Sequence, residues 1–123
     1  MGLLDTLMGN ASEVDVEEVR EQLEPVMGDN ERITTAYRLI RDLIVFTSAR
    51  VILIDKQGLS GRKISYLSIP YKSITQFNVE TAGHFDTDSE LRIWVSGQDE
   101  PQKVELGKKA AVGVQKMLAN MLF

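Results

Sequence analysis

The chain is poorly equipped for covalent or acid–base chemistry. It has 123 residues, no cysteine and a single imidazole, His84. A Ser–His–acid relay can be drawn from His84, Asp86 and some serine. No glycine-framed nucleophile elbow presents that serine, so the relay has no anchor. His84, between Gly83 and Phe85, reads as a solvated loop histidine. Asp86, Asp88 and Glu90 alternate and could touch a cation, but the twelve-residue loop and central glycine of a calcium hand are absent. They read as a polar hairpin. Thiolate zinc and iron–sulfur sites are excluded for lack of cysteine. No catalytic residue, metal ligand or cofactor is therefore assigned.

Anion binding is the next chemistry to weigh. A multiply charged headgroup needs several cations converging on one loop, because its recognition rests on charge-assisted hydrogen bonds. The candidates are Arg50, Lys56, Arg62, Lys63 and Lys72. Arg62 and Lys63 adjoin the turn that contains Gly58 and Gly61, and they are weak anion contacts at most. No dense cluster forms, and phosphoinositide binding is not expected. Nucleic acid is not an expected partner either, since the pI is near 5.0 and no basic stripe interleaves with aromatics. Met1-Gly2 with Thr6 fits the N-myristoylation pattern, but no basic cluster supplies the second membrane signal. Two aromatics remain, Tyr66 and Trp94. If Leu91, Ile93 and Val95 face the core, Trp94 faces outward beside Arg92. An outward tryptophan next to an arginine suits an interface anchor.

These residues need a frame, and alternation supplies it. Residues 42–83 hold four short runs: Asp42–Thr47, Arg50–Asp55, Lys63–Ile69 and Ile74–Thr81. Period-two runs with tight connections predict an antiparallel meander. A strand over Arg32–Leu39 precedes them. Leu91, Ile93 and Val95 alternate with Arg92, Trp94 and Ser96, and Lys103–Leu106 makes the seventh strand. In the third strand, Val51 and Leu53 face one way and Ile52 and Ile54 the other, so both faces are apolar and the strand is predicted to be central. Pro70 cannot donate to a ladder and belongs at a strand end or edge. Phe77 and Val79 point inward. From Lys108 to Phe123 the period becomes helical, with Ala111, Val114, Met117, Leu118, Met121 and Leu122 on one stripe. Gly113 inside it costs roughly 1 kcal/mol against alanine, so a close approach is predicted there.

The front of the chain differs in character. The first 31 residues carry nine acids and one base, eight net negative charges. The other 92 carry 13 bases and nine acids, four net positive charges. Leu3, Leu4, Leu7 and Met8 share one helical face, and so short a helix must dock on the domain, on a neighbouring subunit or on something apolar. A second helix starts at Ser12, with Asp15 at the capping-box position. Its apolar positions are Val16, Val19, Leu23 and Val26, and Pro25 ends or kinks it. Residues 1–28 are read as an acidic helical appendage and 29–123 as the domain. No apolar run reaches the roughly 18 residues of a membrane span. The start lacks a basic leader, and the absence of cysteine suits a reducing compartment, so a cytoplasmic location is expected.

The stretches MGLLDTLMGNASEVD, RDLIVFTSARVILIDKQGLSGRKISYLSIPYKSI and FNVETAGHFDTDSELRIWVSG carry a resemblance. The chain resembles the bacterial pleckstrin-homology-like (PH-like) family of small proteins. The resemblance implies a seven-stranded antiparallel curled sandwich or partial barrel capped by the C-terminal helix. It implies a ring-like homo-oligomer, with five subunits the first expectation, and it does not imply an enzyme. Ligand identity does not travel with this fold. The expected function is a non-enzymatic, self-assembling binding or scaffold module whose partners are its own copies and an unidentified protein. The alternative is a small-molecule or lipid-headgroup binder that uses the open barrel end. Candidate interface residues are Trp94, Arg92, Leu3, Leu4 and Leu7. The first and last strands carry Thr34, Thr35, Val104 and Leu106 with no internal proline, so their edges are open to pairing.

Overall fold

The alternating runs form strands wherever they can bury one face or both. A computed structural model describes residues 16–39, 42–57, 63–81 and 89–123. Its strands are β1 (Ile33–Arg38), β2 (Leu43–Thr47), β3 (Arg50–Gln57), β4 (Lys63–Pro70), β5 (Ile74–Thr81), β6 (Ser89–Val95) and β7 (Gln102–Leu106). They lie within two residues of the runs expected from the sequence. Two helices flank them, α1 (Val16–Leu23) and α2 (Lys108–Leu122). The helix expected over residues 2–8 and the cap at Ser12 and Asp15 lie outside the described residues.

All pairings are antiparallel, and the strands divide into two sheets, β1-β2-β3-β4 and β5-β6-β7. The break falls at Pro70, the last residue of β4, where a 3₁₀ turn over Tyr71–Ser73 redirects the chain. Proline has no N–H for the ladder, and its fixed φ suits a strand end. The first and last strands are edge strands, as expected. Two sheets have four edges, so β4 and β5 are edges as well, and α2 packs against β1, β5 and β7.

The main core lies between the sheets and under α2. Ile44, Phe46, Val51, Leu91, Ile93, Leu106, Val114 and Leu118 are fully buried there. A second apolar cluster lies on the opposite face of the first sheet, where α1 sets Val19 and Leu23 on Ile33, Ala36, Val45, Ile52 and Ile54. This explains the two apolar faces of β3, because Val51 serves the main core and its neighbour Ile52 the outer one. Burying a side chain of this size contributes about 1.5–3 kcal/mol, so the outer cluster ties α1 to the sheet. Pro25 stops the helix, and Glu24–Val26 form a single 3₁₀ turn. Gly113 fulfils its expectation. A Cβ there would lie 2.6 Å from the Tyr37 hydroxyl and 2.8 Å from its ring. The missing side chain lets α2 settle onto β1.

Candidate functional site

Three features outside the main core are built from specific polar or exposed side chains. The first is a polar knot at the Thr47 end of the first sheet. A short turn after Gly28 brings Glu31 back, and its Oε1 accepts the Gly28 amide at 2.9 Å. Arg50, the first residue of β3, grips the same carboxylate with both arms of its fork. Its Nε lies 2.8 Å from Oε2 and its Nη2 2.9 Å from Oε1. Arg50 Nη1 also donates to Ser68 Oγ at 2.7 Å, and Nη2 to the Val26 carbonyl at 2.9 Å. Thr47 Oγ1 donates to Glu31 Oε2 at 2.5 Å and accepts the amides of Ala49 and Arg50. Tyr71 Oη donates to the Thr47 carbonyl at 2.7 Å.

The knot's electrostatics follow from its geometry. The Arg50 hydrogen bonds, helped by those from Thr47 and Gly28, hold the Glu31 carboxyl down to about 2 despite burial. The bond to Glu31 in turn raises the Arg50 guanidinium. Burial pushes the Tyr71 phenol up to about 12. Only 7% of the Glu31 side chain is exposed, so the pair is shielded on the carboxylate side. Arg50 was one of the cations considered for an anion site, and its donors are occupied within the protein. The knot joins the segment after α1 to β2, β3, β4 and the 71–73 turn. Its parts are scattered along the sequence, and no local motif announces it.

The second feature is the outer face of the β5-β6-β7 sheet. Register sets its side chains in cross-strand ranks. Glu80 faces Glu90, which faces Glu105, and in the next rank Asn78 faces Arg92, which faces Lys103. Trp94 pairs with Gln76 at the end of the same face. Glutamates directly opposite one another repel, and Arg92 relieves this by reaching Glu80 at 3.1 Å and Glu90 at 2.5 Å. Trp94 is half-buried on this face, while Leu91 and Ile93 on the other are fully buried. Arg92 and Trp94 therefore share one face, and Arg92 is engaged with its own sheet.

The third feature lies along the β4 and β5 edges. On β4, Ile64 and Tyr66 are each 39% exposed and Leu67 37%. Tyr66 and Ile64 lie across from Ile54 and Lys56, on the face that α1 covers farther along, and Leu67 lies across from Leu53 on the inner face. Between Leu39, Leu53, Leu67 and Val104 is a cavity of about 160 Å³, with Asp42, Asp55, Ser65 and Lys103 also at its wall. A wider groove of about 460 Å³ separates the start of β5 from the end of α2, lined by Tyr71, Lys72, Ile74, Gln76, Met121 and Phe123. Phe123 stacks on Phe77 with centroids 6.3 Å apart.

Among the described residues, the basic candidates Arg50 and Lys63 do not converge. Arg50 pairs with Pro70 at one end of the β3–β4 ladder and Lys63 with Gln57 at the other. Seven residue steps of strand separate the two ends, about 23 Å. Lys72 is exposed on the turn after β4. Arg62, His84, Asp86, Asp88, Leu3, Leu4 and Leu7 lie outside the described residues. Among the described residues no group of three or more His, Asp or Glu side chains is placed to hold a metal ion, and no helix is long and apolar enough to cross a membrane.

A seven-stranded two-sheet sandwich closed by a C-terminal helix is the PH-like architecture. The chain belongs to the bacterial PH domain family, whose model matches residues 2–122. It is 50% identical over 121 residues to YjqA, an uncharacterized protein of Bacillus subtilis, covering 97% of each chain. Among solved structures it is similar to a pleckstrin homology domain from Shewanella amazonensis, at 56% identity and a TM-score of 0.86, covering 99% of each chain. A DUF1696 family protein with a pleckstrin-homology domain from Shewanella loihica is 55% identical, with a TM-score of 0.79. That match covers 91% of this chain and 97% of the other. These relatives define a PH-like family of uncharacterized function, not a known enzyme family.

Proposed function

We propose that the chain is a non-enzymatic, self-assembling binding or scaffold module that works in the cytoplasm. The observation that carries this reading is the state of β4. It is an edge strand of eight residues, with proline only at its last position and lysine only at its first. Natural edges are normally blunted by short length, charge, internal proline or a covering element, because their unpaired N–H and C=O groups recruit other strands. β4 has little of this protection and adds Ile64, Tyr66 and Leu67 as exposed apolar side chains. Exposed apolar residues grouped on one edge favour a contact with another chain. Half-buried Trp94 gives a second patch, on the other sheet. Contact between two different patches closes into a ring when the rotation per subunit divides a full turn. Five subunits are the first expectation, on family resemblance, and an unidentified protein would dock on the assembled ring.

The test is to charge the edges. Leu67→Lys on β4 and Gln76→Lys on β5 place a cation on these two edge strands without touching the fully buried core. Native mass measurements should show a lower assembly mass for one or both variants. Unchanged mass in both, with wild-type circular dichroism, would remove the edges from the interface.

The corner cavity favours a second reading, a small-molecule binder at the open barrel end. Its volume is below the roughly 300–1,000 Å³ of typical ligand pockets. Its two carboxylates, Asp42 and Asp55, oppose a phosphate or lipid headgroup. Phosphoinositides are further disfavoured by the engagement of Arg50 with Glu31 and by the separation of Arg50 from Lys63. Thermal shift across a metabolite and headgroup panel separates the two readings, since a ligand that binds only the native state must raise its stability.

A further inference from the structure

The two helices carry opposite charge on the sides they turn to solvent. α1 buries Val19 and Leu23. At about 100° per residue, the side opposite these carries Glu17, Glu21 and then Glu24 of the following 3₁₀ turn, all exposed. Residues 16–26 hold four glutamates and one arginine, Arg20, which reaches Glu17 at 3.7 Å. α2 buries Ala110, Ala111, Val114 and Leu118. Its opposite side carries Lys109, Val112 and Lys116, and Val112 is 73% exposed. Residues 107–123 hold three lysines and no acid. Among the described residues no ion pair takes up Glu21, Glu24, Lys109 or Lys116.

We infer that the acidic stripe of α1 docks on the basic stripe of α2 in a second copy of this chain. The inference rests on the self-assembly reading and adds to it a helix contact that uses none of the β4 side chains. Within one chain the stripes cannot meet, because the first sheet lies between the helices. α1 packs on the outer face of that sheet, α2 on the core at its inner face, and each stripe points away from what its helix covers. The dimensions match. Glu17 to Glu24 and Lys109 to Lys116 are each seven residue steps, about 10 Å of helix. Val26, 51% exposed just beyond Glu24, gives Val112 an apolar counterpart. Opposite charges across such a contact steer encounter, and like charges reject the wrong pairings. α1 therefore does not meet α1, nor α2 meet α2, and the contact is head-to-tail. Contact between two different surfaces is the kind that closes into a ring.

Charge swapping tests this in the full chain. K109E with K116E reverses the α2 stripe, and E21K with E24K reverses the α1 stripe. All four sites are exposed, and circular dichroism checks that the variants fold. Light scattering over a dilution series at low salt gives the concentration at which each protein assembles. Each double variant should need about tenfold more protein than the wild type, and the quadruple variant should return to within about threefold of it. If the wild type assembles and either double variant matches it, the inference fails while the self-assembly reading stands. Loss in the double variants without recovery in the quadruple variant also overturns the inference. A wild type that is monomeric at every concentration removes both readings. Sedimentation with phosphatidylglycerol vesicles that K109E with K116E abolishes, at unchanged assembly mass, would overturn the inference by giving the α2 stripe to an anionic lipid surface.

Discussion

Replacing Glu31 with glutamine keeps the shape of the side chain and removes its charge. The carboxyl titrates near 2 in the folded protein against an ordinary value of 4.5. A gap of this size corresponds to about 3 kcal/mol of preference for the charged, folded form. The Arg50 side chain is 23% exposed, so water weakens the pair from that side. An expected loss of about 2 kcal/mol lies between the small value of surface pairs and the 3–5 kcal/mol for breaking buried ones. The pH dependence has a definite sign. Because folding depresses this pKa, the contribution is complete above the unfolded value and disappears as pH falls through the folded one. The stability gap between wild type and E31Q should therefore be flat above about pH 5 and close between about pH 4.5 and 2. Urea unfolding of both proteins at a series of pH values measures this gap, and the subtraction cancels the other carboxylates. A gap below about 0.5 kcal/mol at pH 7, or one that stays constant down to pH 2, would refute the account of the knot.

Ile93→Asp should unfold the domain, because it buries an unpaired charge in the main core, whereas Arg92→Asp on the opposite face should keep the folded circular dichroism spectrum and only lower the melting temperature, through loss of the pairs to Glu80 and Glu90. The reverse pattern would mean that β6 is out of register by one residue. Gly113→Ala should lower stability by about 1–3 kcal/mol despite alanine's better helix propensity, because the new methyl meets the Tyr37 ring, and a thermal melt reads the sign. The protein should not sediment with phosphoinositide vesicles. Salt-sensitive co-sedimentation abolished by neutralising Arg62 and Lys63 would overturn that expectation.

Much of the architecture was legible because period and burial coincide. Leu91, Ile93 and their polar neighbours alternate as a half-buried strand must, and β3 showed its central place by having no polar face at its centre. Gly113 was readable as a close approach because a glycine inside an apolar helical stripe has few other uses. The two-sheet split was less legible. Pro70 marked a strand end, but nothing local told whether the next strand would return to the same sheet. The Glu31–Arg50 knot was not legible at all. Glu31 reads as the last of many acids and Arg50 as a hairpin cation. Their meeting depends on the turn at Gly28 and on the β2–β3 register, which are properties of the fold. The candidate surface was half legible. Alternation set Trp94 outward, but Ile64 and Tyr66 count as exposed only once β4 is known to be an edge and the reach of α1 is known.

Self-assembly is the claim on which the functional reading stands, and the solution mass tests it most directly. Light scattering coupled to size-exclusion chromatography should give a constant multiple of the 13.8 kDa chain over a dilution series, five copies corresponding to 69 kDa. A single 13.8 kDa species at every concentration would contradict it.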